Sequence, residues 1–162
     1  MSRKVRVGLI SDTHGHLRPE VFQVFEGVDR ILNAGDVENP DILADLDAIA
    51  PTTSVWGNVD GPHVQSATFE QAQVVIDGLN VALIHGHQVH PHYESLVARF
   101  PDAGVIVHGH THVPRCLGVG DVLIVNPGAA GRALKGHPPT VAFLEVNGAE
   151  ASVRYVELTP DA

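Results

Sequence analysis

The chain has 162 residues, which suits one domain of about 150 residues with a buried core. Hydrophobic residues make up 44% of it and charged residues 18%, a balance that excludes disorder and a collagen-like fibre. With 10 basic against 19 acidic side chains the formal charge is −9, so long nucleic acids and anionic membranes are disfavoured partners and a small substrate is expected.

A single cysteine, Cys116, can form no internal disulfide; this fits a reducing compartment, and the residue is expected to pack in the core. The run Val5 to Ile10 is too short for a signal h-region and no run approaches a membrane span, so a cytoplasmic protein is expected. A homo-oligomer is open. Histidine is the unusual component: 11 residues, more than Lys and Arg together, an excess that points to metal or proton chemistry.

In chain order, short apolar runs bounded by turn residues predict strands over Val5–Ile10, Asp29–Leu32, Thr53–Trp56, Val74–Ile76, Val81–Ile84, Val105–Val107, Val122–Val125, Val141–Val146 and Val153–Leu158. Helical patterns over Glu20–Phe25, Ile42–Ile49 and His92–Phe100 each follow a proline start signal. Alternation of strand and helix predicts parallel βαβ units early, and the helix-poor last third predicts antiparallel pairing. The fold class is therefore α/β with a mixed sheet system.

Chemistry-bearing residues fall at the ends of these strands. The first runs into Asp12-Thr13-His14, where residues two apart in an extended segment reach the same side. Later strands end in Gly35-Asp36, Gly57-Asn58-Val59-Asp60, His85-Gly86-His87 and Gly109-His110-Thr111-His112. Each alone is turn material, but the steps from Asp12 to Asp36, Asn58, His85 and His110 are 24, 22, 27 and 25 residues, about one strand-plus-helix unit each. Side chains delivered once per unit at carboxyl ends of strands converge on the crevice where open α/β sheets place their sites.

This ordered set resembles the calcineurin-like metallophosphoesterase superfamily, particularly its small bacterial and archaeal phosphodiesterases; Asn126-Pro127-Gly128 is similar to that branch too. The resemblance implies a four-layer αββα sandwich with two mixed sheets and a dinuclear centre. It implies that Asp12, His14 and His112 hold one metal, that Asn58, His85 and His110 hold the other, and that Asp36 bridges them. Two divalent ions with two carboxylates leave a site of about +2, suited to an anionic phosphate; a bridging hydroxide would be the nucleophile. Imidazole and carboxylate donors suit Mn²⁺, Fe²⁺, Ni²⁺ or Zn²⁺, and the resemblance favours Mn²⁺.

Many members of that superfamily carry histidine where this chain has Val59, so the proton for the leaving group comes from His16, His87 or another histidine, or is not needed. Asp60 is expected to orient a ligand histidine and Asn58 to touch substrate as well as metal. Of Arg18, Arg115 and Arg132, Arg115 is the favoured phosphate contact because it closely follows His112. His87, His90 and His92 border the site or a solvated loop, His108 is packed or supports a ligand, and His63 and His137 are surface residues. The expected function is hydrolysis of small phosphodiesters or phosphomonoesters. The alternative is a non-catalytic scaffold, since the small branch is similar to a subunit of the eukaryotic retromer complex.

Overall fold

The computed structural model describes residues 4–89, 92–132 and 136–159. Its first sheet uses β1 (Val5–Ile10), β2 (Arg30–Asn33), β3 (Thr52–Ser54), β9 (Thr140–Asn147) and β10 (Glu150–Glu157) in the order β10-β9-β1-β2-β3. The second uses β4 (Gln71–Ile76), β5 (Leu79–Ile84), β6 (Val105–Val107), β7 (Arg115–Val119) and β8 (Val122–Asn126) in the order β4-β5-β6-β8-β7. Strands β1, β2 and β3 are mutually parallel, as are β5, β6 and β8; the antiparallel pairings are β1–β9 and β9–β10 on one side of the first sheet and β4–β5 and β7–β8 at the two edges of the second.

Three apolar clusters define four layers. Val7, Leu9 and Leu144 of the first sheet meet Val81, Leu83, Val107 and Val125 of the second. The residues between them in sequence face outward: Ile10, Ile31 and Phe143 pack under α1 (Glu20–Val24) and α2 (Asp41–Ile49), while Ala82, Ile84, Ile106 and Ile124 pack under α4 (Tyr93–Arg99). Burial on both faces explains why the central strands read as unbroken apolar runs. A Cβ at Gly8 would sit 3.0 Å from the Phe25 ring, so glycine there lets Phe25 lie flat against β1.

The expected αββα sandwich is therefore present, with differences at its margins. Helix α3 (Pro62–Ala67) buries only Val64, too little for a helical period. Strand β7 alternates weakly and is half exposed. Cys116 lies on it, exposed and not in the core. The last third is not wholly antiparallel, because β8 joins β6 in parallel. Among the described residues, no helix is long and apolar enough to cross a membrane.

Candidate metal centre

The parallel strands of both sheets deliver the predicted ligands at their carboxyl ends: Asp12 after β1, Asp36 after β2, Asn58 after β3, His85 after β5, and His110 and His112 after β6. Two groups form. Asp12, His14, Asp36 and His112 bring ligand atoms within 4.8 Å of one another, and so do Asp36, His85 and His110. Asp36 belongs to both.

The distances fit a shared cation in each group. Two donors about 2.0–2.2 Å from one ion lie about 2.8–3.6 Å apart at right to tetrahedral angles. His112 Nε2 is 3.2 Å from Asp12 Oδ1, His85 Nε2 is 3.1 Å from Asp36 Oδ2, and the Nε2 atoms of His14 and His112 are 3.2 Å apart. His14 Nε2 is 3.7 Å from both Asp12 Oδ1 and Asp36 Oδ2. Asp12 Oδ1 and His85 Nε2 are buried without a hydrogen-bond partner, an arrangement that folding tolerates only where something else satisfies them. Neither group contains a thiol.

Surrounding bonds aim these atoms. His85 donates its Nδ1–H to the Ala34 carbonyl at 2.8 Å, which leaves Nε2 as the lone-pair atom facing Asp36. Asp12 Oδ2 accepts from the Ser11 hydroxyl at 2.7 Å and the His110 N–H at 3.2 Å, freeing Oδ1 for the centre. Burial alone would raise the Asp12 pKa, but His112 and His14, with the charge of His85 and the Ser11 hydroxyl, hold it well below the usual carboxylate range. His14 is raised by the Asp12 carboxylate against the effect of burial. Burial works against protonation of His85, and Asp36 and Asp12 more than offset it.

The glycines of the motifs make room for these carboxylates. A Cβ on Gly57 would overlap Asp36 Oδ1, and one on Gly109 would overlap the Ser11 hydroxyl and lie 2.6 Å from Asp12 Oδ2. Asp12 and His14 meet by a different route from the one their spacing suggests. Strand β1 ends at Ile10, and both residues are left-handed, with φ of 55° and 47°. Their backbone is held by bonds from the Asp12 N–H to the Gly35 carbonyl at 2.9 Å and from the His14 N–H to the Asp36 carbonyl at 3.0 Å.

Several supporting residues depart from expectation. The Asp60 carboxylate faces backbone, not a histidine: Oδ1 accepts from the Glu38 N–H at 2.7 Å and Oδ2 from the Gly57 N–H at 2.8 Å, so it locks two site loops together. Arg18 is buried and bonded to the carbonyls of Gly131 and Thr159, which removes it as a substrate contact. Arg115 lies against Tyr93, its guanidinium 5.7 Å from the ring centre. Arg132 instead lines the cleft of about 330 Å³ beside Asp12, His14 and His112, with Glu38. Glu38 Oε2 is 3.7 Å from His14 Nδ1. Its only signal in the sequence is its place two residues after Asp36, as His14 follows Asp12.

Asn58 is exposed, on the loop whose Val59 N–H donates to Asp36 Oδ1 at 3.2 Å. His87 stands at the border of the second group, its ring 5.5 Å from that of His85 and 6.3 Å from that of His110, with Nδ1 unpartnered. Burial and the charge of His85 lower its pKa. His108 is buried and donates Nδ1–H to the Gly109 carbonyl at 2.9 Å; burial pushes it down to about 4. His16 and His63 are exposed, and His90 lies outside the described residues.

Comparison with known proteins agrees with this geometry. Residues 5–149 match the model of the calcineurin-like phosphoesterase superfamily domain. A probable metallophosphoesterase of Methanothermobacter thermautotrophicus is 34% identical over 151 residues, covering 88% of this chain and 86% of that protein. A phosphodiesterase of Methanocaldococcus jannaschii is 27% identical over 166 residues, covering 90% and 96%. Among solved structures, Vps29 of Entamoeba histolytica complexed with zinc is similar with a TM-score of 0.77 at 25% identity, over 94% of this chain and 98% of that one.

Proposed function

Because the chain belongs to the calcineurin-like phosphoesterase superfamily, we propose that it is a divalent-metal-dependent phosphoesterase acting on small phosphodiesters. The observation that carries this reading is the pair of ligand groups sharing Asp36, with Asp12 Oδ1 and His85 Nε2 buried and unpartnered between them. Asp12, His14 and His112 would hold one ion, and Asn58, His85 and His110 the other. Bound divalent ions supply Lewis acidity toward phosphate oxygens and activate water. Mn²⁺ is our preferred ion for these N and O donors; Fe²⁺, Ni²⁺ and Zn²⁺ suit the same set, and the Vps29 relative was solved with zinc.

The chain's own groups account for the rest. The Ala34 carbonyl fixes the His85 tautomer, Ser11 and the His110 N–H orient Asp12, and Asp60 positions the Gly57–Asp60 loop beside Asp36. Arg132, on the cleft next to the first group, binds a phosphate oxygen. Glu38 on the same cleft disfavours the second negative charge of a monoester, which favours diesters. His87 hands a proton to the leaving oxygen. The net charge of −9 argues against stable nucleic-acid binding.

The M. jannaschii relative is named a phosphodiesterase, which supports the diester preference. The test is metal analysis of reconstituted protein with a panel of phosphodiesters and phosphomonoesters. We expect close to two equivalents of metal and faster turnover of diesters. A folded, metal-loaded protein inert toward every ester would favour the non-catalytic scaffold, for which the Vps29 likeness is the supporting observation.

A further inference from the structure

Two clefts open beside the ligand residues, and they differ in size and chemistry. The first, of about 330 Å³, borders Asp12, His14 and His112 and carries the charges of Glu38 and Arg132. The second, of about 30 Å³, borders His110 of the other ligand group and is lined by the apolar Val89 and Leu96 and the Tyr93 ring, with His92, His108 and Thr111 as its polar side chains. A single water needs about 10–15 Å³ by this measure, so the second cleft takes roughly two or three water-sized groups.

Its walls are fixed. Leu96 belongs to the core beneath α4, and Val89 and Tyr93 pack against that core. Tyr93 is also held from outside by Arg115, whose Nη1 is 3.5 Å from the phenol oxygen. His108 spends its Nδ1–H on the Gly109 carbonyl, so it adds no donor from that atom to the cleft.

We propose that this small cleft is a subsite for a short apolar ester substituent, one to three carbons long, on a phosphodiester whose phosphate lies against the two ligand groups. The inference rests on the phosphoesterase reading above and deepens it. A diester has two arms; one cleft is roomy and charged, the other tight and mostly apolar, so unlike arms are sorted between them.

The test uses the full chain reconstituted with Mn²⁺ and the methyl, ethyl, propyl and butyl esters of 4-nitrophenyl phosphate, which keep the leaving group constant. Burial of each methylene should raise kcat/KM about threefold to fourfold. The rise should stop at ethyl or propyl, where the cleft is full. Val89→Asp should flatten the series with the metal content unchanged. Val89→Ala, a milder change, should enlarge the cleft and move the plateau to a longer chain. Independently of turnover, in protein loaded with diamagnetic Zn²⁺ in place of Mn²⁺, diethyl phosphate should shift the NMR methyl signals of Val89 and Leu96. A flat series in the wild type together with unmoved methyl signals overturns the subsite. Shifted signals with no turnover of any ester support the subsite and sink the phosphoesterase reading.

Discussion

Asp60→Asn tests whether the site loops are locked together before any ion binds. Asp60 is 4% exposed, and its two oxygens accept from Glu38 N–H at 2.7 Å and Gly57 N–H at 2.8 Å. An asparagine keeps one acceptor, and its NH₂ must then face the other N–H. One hydrogen bond to a charged acceptor is lost, and a buried donor is left unsatisfied. Together these cost about 2–4 kcal/mol, which for a chain of this size lowers Tm by roughly 5–15 °C. Thermal unfolding of chelator-treated protein reads this directly. Metal titration of the same variant should show affinity weakened about 10–100-fold, because Gly57 and the Val59 N–H pack on Asp36. A metal-free Tm within 2 °C of wild type, a bound set by the same conversion of about 0.5 kcal/mol, would refute the clamp. If metal affinity still fell, Asp60 would act through a ligand, as its place in the motif first suggests.

Four further outcomes are expected. His85→Ala and His112→Ala should each reduce metal content from two equivalents toward one, because they belong to different groups; loss of both ions in each variant would show a single coupled site. Tyr155 donates to the Asn126 carbonyl at 3.1 Å, and burial raises its phenol well above the usual tyrosine range. A raised folded pKa means stability is full below about pH 10 and falls as the unfolded chain ionises above it, so urea unfolding at pH 8 and pH 10.5 should show a larger loss for wild type than for Tyr155→Phe. Glu38→Gly should stabilise the metal-free chain by about 1 kcal/mol, because its φ of 65° is strained for a side chain, while titration shows weaker metal binding; destabilisation would contradict the strain. Val59 is apolar and 45% exposed, which leaves the proton to His87, so wild type should show a shallow leaving-group dependence and His87→Ala should slow alkyl against aryl leaving groups by up to about 10²-fold; a steep dependence in wild type that Val59→His flattens would remove His87 from that role.

The sandwich was legible where strands are buried on both faces, because Val81–Ile84 and Val105–Val107 cannot be solvated loops. It was illegible where one face is wet. Strand β7 exposes Arg115, Cys116 and Gly118, and its partner β8 decides its conformation, not its own pattern. Helix α3 is one turn and a half behind Pro62 at its first position, below the length at which periodicity speaks. By distance along the chain Arg115, three residues after His112, is favoured over Arg132. Only the fold sets Arg132 beside His14 and turns Arg115 onto Tyr93.

The ligand residues were legible by type and order, but the reason they converge was not. Among the described residues, non-glycine left-handed conformations occur at Asp12, His14, Asp36, Glu38, Asp77, His110 and His112. Asp77 belongs to the hairpin turn before Gly78, which suits such a conformation. The other six are three pairs spaced two apart, one pair in each of three loops that follow parallel strands. Each such residue costs about 1–3 kcal/mol and persists only where its surroundings over-determine it. Here the surroundings are visible: the Asp12 N–H on the Gly35 carbonyl, the His14 N–H on the Asp36 carbonyl, the Glu38 N–H on Asp60 and the His110 N–H on Asp12. Spacing by two therefore reports a strained turn repeated in three loops and not a strand face, and Glu38, by sharing that turn, is placed on the cleft beside the ligand His14.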